Sequence, residues 1–138
     1  MESEQFDVVI YGASGYTGKL VAQYMQEQYG ANKEVSWAIA GRSATKLAAV
    51  KTELGIADSV PIIVADSDDN QAIEAMVVST KVVLTTVGPY QLYGNTLIDN
   101  CVKHGKDYVD LCGEPAWMRQ KIDAYHDEAH ETGARIVF

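Results

Sequence analysis

Residues 6–18, Phe6-Asp7-Val8-Val9-Ile10-Tyr11-Gly12-Ala13-Ser14-Gly15-Tyr16-Thr17-Gly18, carry the pattern that decides the fold. Residues 6–11 read as a short apolar strand. Three glycines spaced GxxGxxG follow and lead into a helical stretch over 15–29, on which Leu20, Tyr24 and Gln28 share a face. The order is strand, tight turn, helix.

The same unit recurs along the chain. A strand over 35–40 precedes a helix over 44–54, capped by Ser43 and closed by Gly55. A strand over 61–65 precedes a helix over 70–78, with Asp68 as its N-cap and Ala72, Ile73, Met76 and Val77 as its buried stripe. A strand over 81–87, apolar on both faces, has the character of a central parallel strand covered on both sides. A helix over 96–104 closed by Gly105, a strand over 107–111, a helix over 115–131 begun by Pro115 and closed near Gly133, and a strand over 135–138 complete the alternation. Strict alternation with short loops predicts an α/β, doubly wound parallel six-stranded sheet of the Rossmann kind, order 3-2-1-4-5-6, with helices on both faces. Residues 1–138 form one domain in this reading. Because the chain stops on an apolar strand, the expectation is that it is the N-terminal piece of a longer protein.

Composition narrows the partners. The chain has 138 residues, enough for one core, and 47% hydrophobic with 22% charged residues argues against disorder. Eleven Lys and Arg against 19 Asp and Glu leave a net charge of -8, which repels a nucleic-acid backbone and an anionic membrane alike. Cys101 and Cys112 form no CxxC, and two cysteines are too few for a disulfide framework or a zinc ribbon, so reduced thiols are expected. The N-terminal MESEQFD has no basic or apolar targeting region, and no apolar run approaches the roughly 18 residues of a spanning helix. A cytoplasmic location is the expectation.

In a strand-turn-helix setting the three glycines have separate roles. Gly12 permits the tight turn, Gly15 lets the backbone approach a pyrophosphate, and Gly18 packs the helix closely on its strand. The helix N–H groups then cradle phosphates. The spacing alone is met by many ordinary glycine turns, and its place between the first strand and a helix is what gives it meaning. Ser14 and Thr17 offer hydroxyls either to phosphate or to the local turn, and Tyr16 stands between Gly15 and Thr17 in the same cofactor-binding loop. Lys19 follows the third glycine without GK[ST] spacing, which excludes a Walker A loop and with it ATP or GTP hydrolysis.

The second strand ends Ala38-Ile39-Ala40-Gly41-Arg42-Ser43, without the acid that binds both ribose hydroxyls in NAD-selective domains. Arg42 instead offers a fork suited to a 2′-phosphate, with Ser43 beside it and Lys46 one turn on. NADP is therefore favoured over NAD. Asp66, at the end of the third strand, either meets the adenine edge or caps the next helix. The ligand of an open α/β sheet lies at the switch between the first and fourth strands, so Val87, Gly88 and Pro89 should border nicotinamide, with Tyr93 and Gly94 as neighbours.

Other chemistries fit less well. His126 and His130 lie four apart on a helix, but Glu128 between them is out of register with HExxH, so no metal site is expected. Tyr29 and Lys33 form the lone YxxxK spacing, far from the expected nicotinamide. Cys112 has no neighbouring histidine to activate it. Asp110 and Glu114 flank a strand end and read as cleft lining rather than as an acid-base pair.

The stretches GASGYTG (12–18), AGRS (40–43), TTVGPYQLYGN (85–95) and DYVDLCGE (107–114) together resemble the N-terminal domain of saccharopine dehydrogenase-like oxidoreductases, over nearly the whole chain. GASGYTG is also similar to the phosphate loop of N-acetyl-γ-glutamyl-phosphate reductase, but VGPYQLYGN does not match that enzyme's loop. The resemblance implies NADP binding by Gly12, Gly15, Gly18 and Arg42, with 87–89 near nicotinamide and 110–114 lining the cleft. It implies a second α/β domain that binds a small-molecule or lipid-linked substrate and completes a homodimer. Substrates in such a family range from amino-acid imines to lipid-linked double bonds. The isolated domain would hold cofactor for hydride transfer without turning over substrate. The alternative from another class is a non-catalytic NADP-binding sensor or interaction module.

Overall fold

In a computed structural model, which describes residues 4–30 and 34–138, β1 (Phe6–Tyr11) lies at the centre of a sheet ordered β3-β2-β1-β4-β5-β6. The other strands are β2 (Trp37–Gly41), β3 (Ile62–Val64), β4 (Thr80–Thr85), β5 (Asp107–Val109) and β6 (Ile136–Val137), and every pairing is parallel. The expected doubly wound order is therefore the observed one. Residues 1–3 of the acidic N-terminus and Lys33 of the YxxxK spacing lie outside the described residues.

Alternation along β1 sends Val9 and Tyr11 to one face of the sheet and Ile10 to the other. On the first face Val9, Ala38, Val83 and Tyr108 pack under α3 (Asn70–Val78), α5 (Asn95–His104) and α6 (Pro115–Thr132), through Ile73, Met76, Leu97, Ile98 and Trp117. On the second, Ile10, Trp37 and Ile39 pack under α1 (Tyr16–Tyr29) and α2 (Ala44–Leu54), through Ala22, Met25, Leu47 and Val50. Burial on both faces explains why these strands are nearly continuous apolar runs. Among the described residues no helix is long and apolar enough to cross a membrane.

Several local expectations shift. On α1 the buried residues are Gly18, Ala22 and Met25, while Leu20 and Tyr24 are half exposed at 51% and 55%. Gly18 has to face the turn after β1, and that requirement sets the rotation of the whole helix. The cap of α3 is Asp69, whose side chain accepts from Ala72 N at 3.2 Å, rather than Asp68. The Asp66 side chain accepts from Asp68 N at 3.0 Å, and this local turn moves the cap one residue on. The strand expected over 81–87 starts and stops earlier, which frees Thr86 to Pro89 as a loop. A one-turn helix, α4 (Tyr90–Tyr93), follows that loop and is too short to leave a periodic signal. Ser43 caps α2 as expected, and Gly55, Gly105 and Gly133 end α2, α5 and α6.

Candidate dinucleotide site

The carboxyl ends of β1, β2, β3 and β4 converge on a cleft of about 290 Å³. Tyr11 ends β1, and the turn into α1 contributes Gly12, Ser14 and Gly15; Gly41 and Arg42 come from the end of β2 and Ser67 from beyond β3. Thr86, Val87 and Gly88 after β4, with Tyr93 from α4, close the other side.

Two of the three glycines are demanded by the fold. Gly12 has φ +93°, and a Cβ there would meet Val87 Cγ2 at 2.7 Å and Thr86 Oγ1 at 2.8 Å. A Cβ on Gly18 would overlap the Gly12 backbone. Gly15 differs. Its φ of -79° suits any residue, and its Cβ would meet nothing nearer than Gly12 O at 3.5 Å. Neither conformation nor internal packing requires glycine there, yet its bare backbone forms part of the cleft wall. That is the arrangement a closely approaching ligand needs.

Gly15 is also the N-cap of α1 and supplies no side-chain acceptor. The first-turn N–H groups of a helix have no intrahelical partners and carry the positive end of its dipole. Bare N–H groups beside a glycine wall fit the pyrophosphate of a dinucleotide. Arg42 is exposed, lines the same cleft and forms no ion pair among the described residues, so its guanidinium is available to a 2′-phosphate.

The two sides of the cleft are tied together. Thr86 N donates to Tyr11 O at 3.0 Å, and Thr86 Oγ1 lies 3.4 Å from Tyr11 O and 3.3 Å from Gly12 O. Val87 N donates to Thr85 Oγ1 at 3.2 Å. The Tyr11 hydroxyl donates to Ala65 O at 2.9 Å. Burial, reinforced by the Asp66 charge and opposed by Arg42, pushes this phenol up to about 12, so it stays a neutral donor.

Of the residues expected to bind cofactor, the cleft gathers Gly12, Ser14, Gly15, Arg42, Val87 and Gly88. The remainder stand outside its lining. Tyr16 is 83% exposed, and Thr17 is exposed beside it. Gly18 lies buried beneath the turn. The Ser43 hydroxyl is engaged as the α2 cap, accepting from Lys46 N at 3.2 Å, and Lys46 is exposed on the first turn of α2. Asp66 serves its own turn, and Ser67 takes the place at the cleft. Pro89 is the N-cap of α4. Tyr93 lines the cleft, whereas Gly94 packs against Trp117.

Asp110 and Glu114, expected as cleft lining, are structural instead. Asp110 accepts from the Tyr108 hydroxyl at 2.5 Å and from Cys112 N at 2.9 Å, and burial raises its carboxyl despite these bonds. Glu114 accepts from Tyr90 N at 2.7 Å and Gln91 N at 3.0 Å. Burial raises the Cys112 thiol, which leaves it a poor nucleophile. His126 and His130 are exposed on α6, and among the described residues no three His, Cys, Asp or Glu side chains gather as a metal site. Tyr11, Gly41, Ser67 and Thr86 were not singled out in the sequence. Tyr11 and Gly41 are the last residues of β1 and β2, and Ser67 and Thr86 lie within three residues beyond β3 and β4, so the rule that ligands meet the carboxyl ends of the strands is the signal that points to them.

The family model described as the saccharopine dehydrogenase NADP binding domain matches residues 8–137. Over 134 residues the chain is 46% identical to a trans-acting enoyl reductase of Mycobacterium tuberculosis, covering 96% of this chain and 31% of the relative. It is 44% identical to a trans-acting enoyl reductase of Mycobacterium ulcerans over the same length and coverage. In fold it is similar to the apo form of saccharopine dehydrogenase (L-Glu forming) from Saccharomyces cerevisiae, with a TM-score of 0.69 and 20% identity, covering 95% of this chain and 26% of that one. The chain thus spans 31% of the length of these curated relatives. By the match across residues 8–137, the chain belongs to the saccharopine dehydrogenase NADP-binding domain family, and the dinucleotide it takes is NADP.

Proposed function

We propose that this domain is the cofactor half of an oxidoreductase whose substrate is held by the rest of a longer protein. The observation that carries the reading is the convergence, in one cleft, of the uncapped start of α1 at Gly15, the unpaired Arg42 and the bare backbone of Gly88. In this reading the α1 N–H groups hold the pyrophosphate, Arg42 the 2′-phosphate, and Val87 with Gly88 the nicotinamide end. Ser14 and Ser67 add hydroxyls to the phosphate and ribose side. When bound, the cofactor supplies a hydride; the residues of this chain bind and orient it.

The relatives' names favour a particular substrate class. Trans-acting enoyl reductases reduce a carbon–carbon double bond conjugated to a carbonyl, and at 46% identity that is the first class to try here. The same likeness favours the enzyme over a cofactor-sensing module. A cytoplasmic location accords with NADPH chemistry and with two free cysteines. The test is calorimetric titration of the chain with NADPH and with NADH. Tight NADPH binding with weak NADH binding is expected, and binding of neither would refute the reading.

A further inference from the structure

We propose that Glu114 is a positioning residue for the nicotinamide end of the cofactor, acting through the loop after β4; this rests on the reading of the cleft given above. That loop supplies Thr86, Val87, Gly88 and Tyr93 to the cleft, so its placement sets how far the nicotinamide wall stands from the phosphate turn. Its first end is fixed by the Thr86 bonds to Tyr11 and Gly12. Its other end turns into α4, whose cap residue is Pro89, a side chain that accepts no hydrogen bond. The N–H groups of Tyr90 and Gln91 would stand open there. Glu114, 24 residues on in the chain, reaches across and accepts both, at 2.7 and 3.0 Å.

The backbone that carries this carboxylate is itself held. Glu114 is the N-cap of α6, its N–H donates to Cys112 Sγ at 3.4 Å, and its carbonyl accepts from Met118 N at 3.0 Å. The Tyr90 ring lies 5.8 Å from Trp117, and Trp117 Nε1 donates to Asn95 Oδ1 at 2.9 Å. One acceptor between β5 and α6 therefore locks the loop from its far side. Without it the loop samples other placements, and the apparent affinity of a ligand falls by the fraction of time that the competent one is populated. A ligand that touches only the phosphate turn and Arg42 does not feel the loss.

The experiment titrates the chain, Glu114→Ala and Glu114→Gln with two probes: NADPH, and adenosine 2′,5′-bisphosphate, which carries the 2′-phosphate but no nicotinamide. Glu114→Ala is expected to weaken NADPH about tenfold and the bisphosphate less than about twofold, with Glu114→Gln intermediate because its amide oxygen still accepts. Thermal melts without ligand report folding, and if the alanine variant does not fold, the glutamine variant carries the comparison. Unchanged NADPH affinity, or equal weakening of both probes, would overturn the positioning role while leaving the cleft reading standing. A parent chain that binds neither probe would overturn both.

Discussion

A methyl group on Gly18 would stand 1.9 Å from the carbonyl oxygen of Gly12 and 2.6 Å from its carbonyl carbon. Both are backbone atoms in a turn that β1 and the loop after β4 hold in place, so no side-chain rotation relieves the clash. Gly18→Ala is expected to destabilise the domain by about 3 kcal/mol, the upper range for overpacking, read as a lowered midpoint in urea. Wild-type stability in that variant would mean that α1 can move off β1.

Gly15→Ala should behave in the opposite way. The nearest atom to its added methyl is 3.5 Å off, and the backbone there is extended, so the fold loses only the cap preference of glycine over alanine, under about 1 kcal/mol. The methyl enters the cleft wall, however, and NADPH affinity should drop at least about tenfold, a loss of 1.4 kcal/mol or more. A variant that melts like the parent but binds NADPH poorly separates ligand approach from folding; retained affinity would remove Gly15 from the site.

The contrast between these glycines also marks what was legible in the sequence. The GxxGxxG spacing and the strand-helix alternation are local demands of backbone and burial, so they appear in one stretch of chain and the sheet order follows from them. The rotation of α1 was not legible, because Leu20 and Tyr24 make an apolar stripe of their own and the burial of Gly18 decides against them. Asp68 and Asp69 are equivalent as caps until Asp66 is seen to take the Asp68 N–H. Glu114 was legible as a residue near the cleft but not as the acceptor for the Tyr90 and Gln91 N–H groups, since these partners lie 23 and 24 residues away.

Arg42 is the test of cofactor choice. Losing a charge-assisted contact to phosphate costs about 1.5–3 kcal/mol, so Arg42→Ala should weaken NADPH about 10- to 100-fold and leave NADH nearly unchanged. Arg42→Lys should recover only part of the loss, because an ammonium cannot reproduce the planar fork. Parallel titrations decide it, and equal losses for both cofactors would refute the assignment.

Part of the acid sensitivity should trace to Asp107, beside Asp7 and Glu74, whose carboxyls are also held low by their hydrogen-bond partners. The Asp107 carboxylate accepts from the Arg135 side chain at 2.6 Å and from Arg135 N at 3.1 Å, joining the starts of β5 and β6, and the Arg135 bonds hold it below the ordinary 3.8. A folded value below the unfolded one contributes stability that is present above 3.8 and lost as pH falls through the folded value. Asp107→Asn should lower stability at neutral pH and flatten the decline below 3.8, as measured by urea unfolding across that range. Asp110 has the opposite sign, since burial raises it and its ionisation opposes folding as pH rises, so Asp110→Asn should not flatten the acid limb. Identical acid limbs for Asp107→Asn and the parent would assign the effect elsewhere.

The cleft gathers groups suited to phosphate, ribose and nicotinamide, but the acids near it are engaged in structure. Asp110 is bonded to Tyr108 and Cys112, Glu114 to α4, and the Tyr11 phenol donates to Ala65 and is pushed up to about 12. Protonating the carbon left after hydride transfer to a conjugated double bond calls for a donor facing the substrate, and none of these is free to serve. In the proposed division of labour the chain alone should bind NADPH without oxidising it when an α,β-unsaturated thioester is added, followed by nicotinamide absorbance over many minutes, although the Tyr93 phenol lines the cleft. Sustained oxidation above the rate without protein would show that a donor within these 138 residues reaches the substrate, and would move the division of labour into this domain.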